Sequence, residues 1–194
     1  MYIVFEGIDG VGKSTQIELL KREFKDAVFS FEPGATKLGV YLRELLLEKS
    51  EKFSKRAEIL LFLADRAEHF EQVLQKNADK LIICDRSFIS GIAYANNAFD
   101  FETLFALNAF ALGEFFPQKC VFLRADEELI KERFEKKGLD KIEKRGADYF
   151  MSVQNELEKC LEMLEKKINL RVLRLNAREN IELLHQKIKE FIDD

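Results

Sequence analysis

Eight residues near the start of the chain, Gly7-Ile8-Asp9-Gly10-Val11-Gly12-Lys13-Ser14, match the phosphate-binding pattern G-x-x-x-x-G-K-[ST]. No other feature constrains the fold as much, because such a loop works only between a strand and a helix. Both are in place: residues 2–5 are apolar and β-prone, and 14–24 carry Ile17, Leu20 and Phe24 at helical spacing. The glycines let backbone N–H groups converge on phosphate oxygens with no Cβ in the way. The helix start adds its partial positive end. Lys13 offers a cation to β- and γ-phosphates, and Ser14 offers a hydroxyl to Mg²⁺. Residues Gly7 to Thr15 are therefore the expected ATP-binding loop.

The rest of the chain alternates short apolar runs with longer helical patterns. Strands are expected at 28–31, 81–84, 120–123 and 172–173. Helices are expected at 38–47, 57–74, 101–112, 127–136, 149–166 and 181–192, with Asp126 as an N-cap. Strands separated by helices imply an α/β fold, with a parallel sheet of about five strands and helices on both faces. Leu81-Ile82-Ile83-Cys84 is uniformly apolar, as suits a strand covered on both sides. It ends in Asp85, as a Walker B element does, which makes Asp85 a second candidate Mg²⁺ ligand. Ligands in such sheets bind beyond the carboxyl ends of the strands, so the motifs should fall there.

Composition excludes several classes. The net charge of −4 argues against a protein that coats nucleic acid, since those carry a basic excess. Three widely spaced cysteines and two histidines supply neither a zinc motif nor a disulfide framework; buried free thiols in a reducing compartment are expected. The start of the chain lacks secretory-signal character, and no run of 18 apolar residues occurs. A cytoplasmic location without a membrane span is expected. With no repeat, linker or low-complexity tract, 1–194 reads as a single domain.

The motifs, taken together, resemble bacterial thymidylate kinases from end to end. The resemblance rests on Phe5-Glu6-Gly7 running into the loop, and on Glu32-Pro33-Gly34-Ala35-Thr36 after the second strand. It continues with Leu61-Phe62-Leu63-Ala64-Asp65-Arg66-Ala67-Glu68-His69, Asp85-Arg86-Ser87, Ser90-Gly91, Tyr94, and Gly138-Leu139-Asp140-Lys141-Ile142-Glu143 in a basic stretch. It implies a three-layer P-loop nucleoside monophosphate kinase fold with a lid at about 133–148. It also implies transfer of the γ-phosphoryl group of ATP to dTMP with Mg²⁺, and a homodimer. By the same resemblance, Asp9 would bind the dTMP 3′-hydroxyl and Glu32 would order the magnesium and sugar region. Arg43, Arg66 and Arg86 would surround the phosphates, and Phe62 would stack on thymine. Ser90, beside Gly91, would read the base edge, and Tyr94 would crowd the 2′ position. Arg133 and Lys137 would act from the lid, and Ala177 would lie near adenine. Lys13, Arg86, Asp9 and Glu32 form the implied catalytic set. The family often has Arg and Gly where this chain has Phe31 and Ala35, and some members have Arg in place of Gly10. In members without that Arg the lid supplies the cation, which the basic lid here fits.

The chemistry agrees. A phosphate monoester is mostly a dianion near neutrality, so an acceptor of this kind needs no strong base. It needs cations that bring two anions together, and Arg suits this with its planar fork. Taken alone, Arg43 and Arg66 read as solvent-facing helix residues, Phe62 and Tyr94 as core residues, and His69 as a surface or packed helix residue. Two other readings remain open on the motifs: another nucleoside monophosphate or deoxynucleoside kinase, and a nucleotide-dependent switch or partitioning ATPase. The N-K-x-D element of a guanine switch does not occur.

Overall fold

The computed structural model describes residues 1–49, 52–95, 98–135 and 147–194, with the side chains of 133–135 and 147 left aside. Five strands, β1 (Tyr2–Glu6), β2 (Val28–Phe31), β3 (Ile82–Asp85), β4 (Lys119–Arg124) and β5 (Arg171–Asn176), form one sheet in the order β2-β3-β1-β4-β5. Every neighbouring pair is parallel, with Ile3 level with Ile83 on one side and with Lys119 on the other.

Burial explains why these segments are strands. All five residues of β1 are buried, as are Ile82, Ile83 and Cys84 of β3 and the first five residues of β4. A run buried on both faces needs helices above and below the sheet, which makes three layers. At one edge, β5 is partly exposed and carries Arg171 and Arg174. Its charges shorten the apolar signal to two residues, although the strand runs to six.

The helices are α1 (Lys13–Glu23), α2 (Lys37–Arg43), α3 (Lys55–His69), α4 (Phe88–Ala95), α5 (Phe101–Ala111), α6 (Glu127–Glu135), α7 (Ala147–Ile168) and α8 (Ile181–Asp193). The longest, α7, buries Phe150, Val153, Leu157, Cys160, Leu161 and Leu164, a stripe at three- and four-residue spacing. Starts are capped by side chains: Thr36 accepts from the Gly39 amide, Ser54 from Ala57 and Asp100 from Thr103. Asp126 accepts from the Leu129 amide at 2.8 Å, the cap expected from the sequence.

Two predicted helices differ from the observed ones. The segment 38–47 divides into α2 and a π-helical turn at Glu44–Glu48. The segment 57–74 divides into α3 and a π-helical turn at Phe70–Leu74, followed by a 3₁₀ turn at Gln75–Asn77. Apolar spacing over a single turn does not distinguish these geometries, so the sequence reads as continuous helix. The three cysteines are free and buried. Among the described residues, no helix is long and apolar enough to cross a membrane.

Candidate active site

The strand ends converge as α/β geometry requires. Gly7 follows β1, Glu32 follows β2, Arg86 follows β3 and Ala177 follows β5. Between β1 and α1 the chain turns through Gly7, Gly10 and Gly12, with φ of 141°, 80° and 103°. At Gly7 the loop presses on β4: a Cβ there would lie 2.6 Å from the Leu123 carbonyl oxygen. Glycine is required at that approach. Ile8 and Val11 are buried beneath the loop, and Ser14 and Thr15 stand exposed on the first turn of α1.

Lys13 is buried and folds back over the loop. Its Nζ donates to the carbonyl oxygens of Gly7 and Ile8, both at 2.9 Å. Burial, and then the nearby Arg86 charge, lower its pKa to about 8. The cation is costly where it stands, and an arriving phosphate would lower that cost.

Arg86 adopts φ 67°, which turns its side chain from the end of β3 toward the loop. Its Nη2 pairs with Asp9 at 2.5 Å and its Nη1 donates to Ser90 Oγ at 3.0 Å. Tyr94 lies 5.7 Å from the guanidinium, ring face toward it. Beneath this cluster is Glu6, the last residue of β1 and fully buried. It accepts from Ser87 Oγ at 2.7 Å and from Ser90 Oγ at 2.5 Å. Burial pushes the Glu6 carboxyl up, opposed by Arg86, Ser90, Ser87 and Lys13. Ser90 thus gives its hydroxyl proton to Glu6 and accepts from Arg86, tying the guanidinium to the core.

A second cluster lies under the loop after β2. Glu32 pairs with Arg66, Oε2 receiving both Nε at 2.9 Å and Nη2 at 2.7 Å. Its Oε1 lies 2.8 Å from His69 Nδ1, and His69 Nε2 lies 2.6 Å from Ser30 Oγ. Arg66 Nη1 donates to Asn108 on α5 at 2.6 Å. A Cβ at Gly91 would lie 3.0 Å from Arg66 Nη1, so the α4 backbone passes close over the guanidinium. Phe62, one helical turn before Arg66 on α3, is half-buried. Arg43 stands apart: its Nη1 donates to the Pro33 carbonyl at 2.7 Å and its guanidinium lies 5.9 Å from the Phe31 ring.

Asp85 Oδ1 is buried with no hydrogen-bond partner. An orphaned carboxylate oxygen beside a phosphate loop suits a cation. With Ser14 exposed at the start of α1, the residues fit Mg²⁺ held chiefly by phosphates and water. Among the described residues, no group of three His, Cys, Asp or Glu side chains forms an all-protein metal cage.

A thymidylate kinase family model matches residues 5–188, nearly the whole chain and every motif described. The chain belongs to the thymidylate kinase family. It is 62% identical over 192 residues to the thymidylate kinase of Campylobacter jejuni subsp. doylei, covering 99% of this chain and 100% of that one. It is 60% identical over 194 residues to that of Campylobacter lari, covering all of both. Its fold matches the crystal structure of thymidylate kinase from Ehrlichia chaffeensis with a TM-score of 0.75 and 25% identity, over 99% of this chain and 98% of that one.

Within this thymidylate kinase fold, Asp9, Lys13, Arg86, Ser90 and Tyr94 meet in one cluster. Glu32, Arg66 and Gly91 meet in the next. Ala177, buried beyond β5, donates its amide to the Arg124 carbonyl at 2.8 Å. Arg133 falls on α6 with its side chain outside the described residues, as are Lys137 and nearly all of the expected lid. Sequence reasoning missed Glu6, Ser30, His69 and Asn108. A charge closing an apolar strand was the signal for Glu6, the same signal that marked Asp85. His69 lies three residues after Arg66, on the same face of α3.

Proposed function

We propose that the chain transfers the γ-phosphoryl group of ATP to dTMP, giving ADP and dTDP, a step of dTTP synthesis. The observation that carries this is the cation set at the strand ends, Lys13 and Arg86 at the phosphate loop and Arg66 beside it, in a thymidylate kinase family chain. In the reaction an oxygen of the dTMP phosphate attacks the γ-phosphorus as the bond to the β-γ bridging oxygen breaks. That oxygen leaves with the electron pair on ADP. The attacking dianion carries no proton to remove, and the site is built from charges rather than from an exposed base.

The loop amides from Gly7 to Thr15 bind the phosphates of ATP, and Lys13 exchanges the Gly7 and Ile8 carbonyls for phosphate oxygens. Arg86, oriented by Asp9 and Ser90, keeps further N–H groups for the transferring phosphoryl, since a guanidinium has five. Arg66 and Arg43 hold the acceptor, Phe62 stacks on the base, and Asp9 and Tyr94 border the sugar. Ala177 lies toward the adenine. Asp85 and Ser14 would hold Mg²⁺, which supplies charge neutralisation at the β- and γ-oxygens. Arg133 and Lys137 belong to a lid at about 133–148 of a single kinase domain. The enzyme acts in the cytoplasm on small nucleotides, without nucleic acid or membrane, as a homodimer. The apolar outer face of α5, where Phe110 is 88% exposed, supports pairing with a second copy.

ADP production with MgATP, first without acceptor and then with dTMP, dUMP, UMP, CMP, AMP, GMP and thymidine, tests the reading. Strong stimulation by dTMP, weaker by dUMP, is expected. Hydrolysis indifferent to every acceptor overturns it.

A further inference from the structure

We propose that His69 is a positioning residue for Arg66, acting through Glu32, with Ser30 fixing the imidazole from its far side. The inference rests on the reading of Arg66 as an acceptor-binding cation.

The geometry divides the Glu32 carboxylate between two partners. Oε2 takes both Arg66 contacts, at 2.9 and 2.7 Å, and Oε1 takes His69 Nδ1 at 2.8 Å. Glu32, Arg66 and His69 are each at least 95% buried, so water cannot substitute for a lost partner at low cost. Held at one oxygen only, a carboxylate can rotate and shear. Held at both, it presents Oε2 to Arg66 in one orientation. Burial would raise the Glu32 carboxyl, but Arg66 and then His69 outweigh it and hold it below the usual carboxylate range. An ionised carboxylate only accepts, so Nδ1 carries a proton whatever the charge of the ring. Ser30 Oγ, 2.6 Å from Nε2, sets the ring plane from strand β2. On the other side of Arg66, Asn108 and the backbone at Gly91 complete the seat. The fork is thus fixed by α3, α4, α5 and the end of β2, before any acceptor arrives.

The test compares three replacements of one side chain. An Asn amide reaches the place of Nδ1, and a Gln amide reaches nearer to Nε2. His69→Asn is expected to stay within about 3-fold of the natural KM for dTMP. His69→Ala and His69→Gln are expected to raise it about 10-fold or more, the scale of a lost bond to a buried charge. KM for ATP should stay within about 2-fold in all three. Equal shifts in both KM values, or a Gln variant better than the Asn variant, would overturn the proposal and leave His69 a packing residue. ¹⁵N spectra of the unliganded natural chain give a readout independent of activity. A protonated Nδ1 is expected, and an unprotonated Nδ1 overturns the proposal. Lack of dTMP turnover by the natural chain would instead fault the substrate reading, with the ¹⁵N result standing apart from it.

Discussion

Lys13 shows how burial prepares a charge for a ligand. It is 6% exposed and bonded to two carbonyls of its own loop, with a pKa of about 8. A phosphate holds it fully protonated, so MgATP binding at pH 8 should take up roughly half a proton. The uptake should fade toward pH 7 and grow toward pH 9. Calorimetry in buffers of different ionisation enthalpy measures it; a binding heat independent of buffer at pH 8 would contradict the linkage. Arg66 should act on the other substrate. Arg66→Ala leaves Glu32 buried without its main counter-charge. We expect KM for dTMP to rise about 10- to 100-fold, and KM for ATP to move much less. The reverse order would remove Arg66 from the acceptor side.

Elements matter here chiefly through where two of them nearly touch. The α4 backbone at Gly91 passes the Arg66 guanidinium so closely that a Cβ would lie 3.0 Å from Nη1 and 3.2 Å from Nη2. Alanine in mid-helix normally gains about 0.5–1 kcal/mol over glycine. Here the new methyl group meets a fork that Glu32 and Asn108 hold in place. Gly91→Ala should leave the thermal midpoint within a few degrees of the natural chain and raise KM for dTMP several-fold. An unchanged KM would mean that the fork moves freely. The same element scale separates legible from illegible helices. The strands follow from apolar runs, and the start of α6 follows from its capping residue Asp126. The π-helical turns at 44–48 and 70–74 do not, because one wide turn keeps the apolar residues on the same side.

Over the whole molecule, stability should carry the imprint of Asp65. It is 1% exposed, and burial, then the charge of Glu32, raise its pKa from 3.8 to about 6. A raised carboxyl binds its proton more tightly folded than unfolded. Its contribution is therefore full below about pH 4 and lost as the pH rises through 6, by about 3 kcal/mol. Asp65→Asn, which keeps an oxygen for the Gly34 amide, removes that slope. Urea unfolding from pH 4 to 8 should show the variant gaining on the natural chain as pH rises. Parallel curves would show that Asp65 does not titrate in this window.

The sequence alone determined the phosphate loop, the five strand positions, the parallel sheet and the family. All of these are local patterns: four fixed positions between a strand and a helix, apolar runs, and motifs that stand in order. It also named most of the side chains that gather at the strand ends. What the tertiary structure decided is how they bond. Arg86 reaches Asp9 across 77 positions, Arg66 reaches Glu32 across 34, and His69 reaches Glu32 across 37. Such pairs exist only because the sheet order sets β3 between β2 and β1, bringing three strand ends to one edge. The burial that makes Glu6 and Lys13 costly charges, and that leaves Glu32 paired away from water, comes from that packing, and no spacing along the chain encodes it.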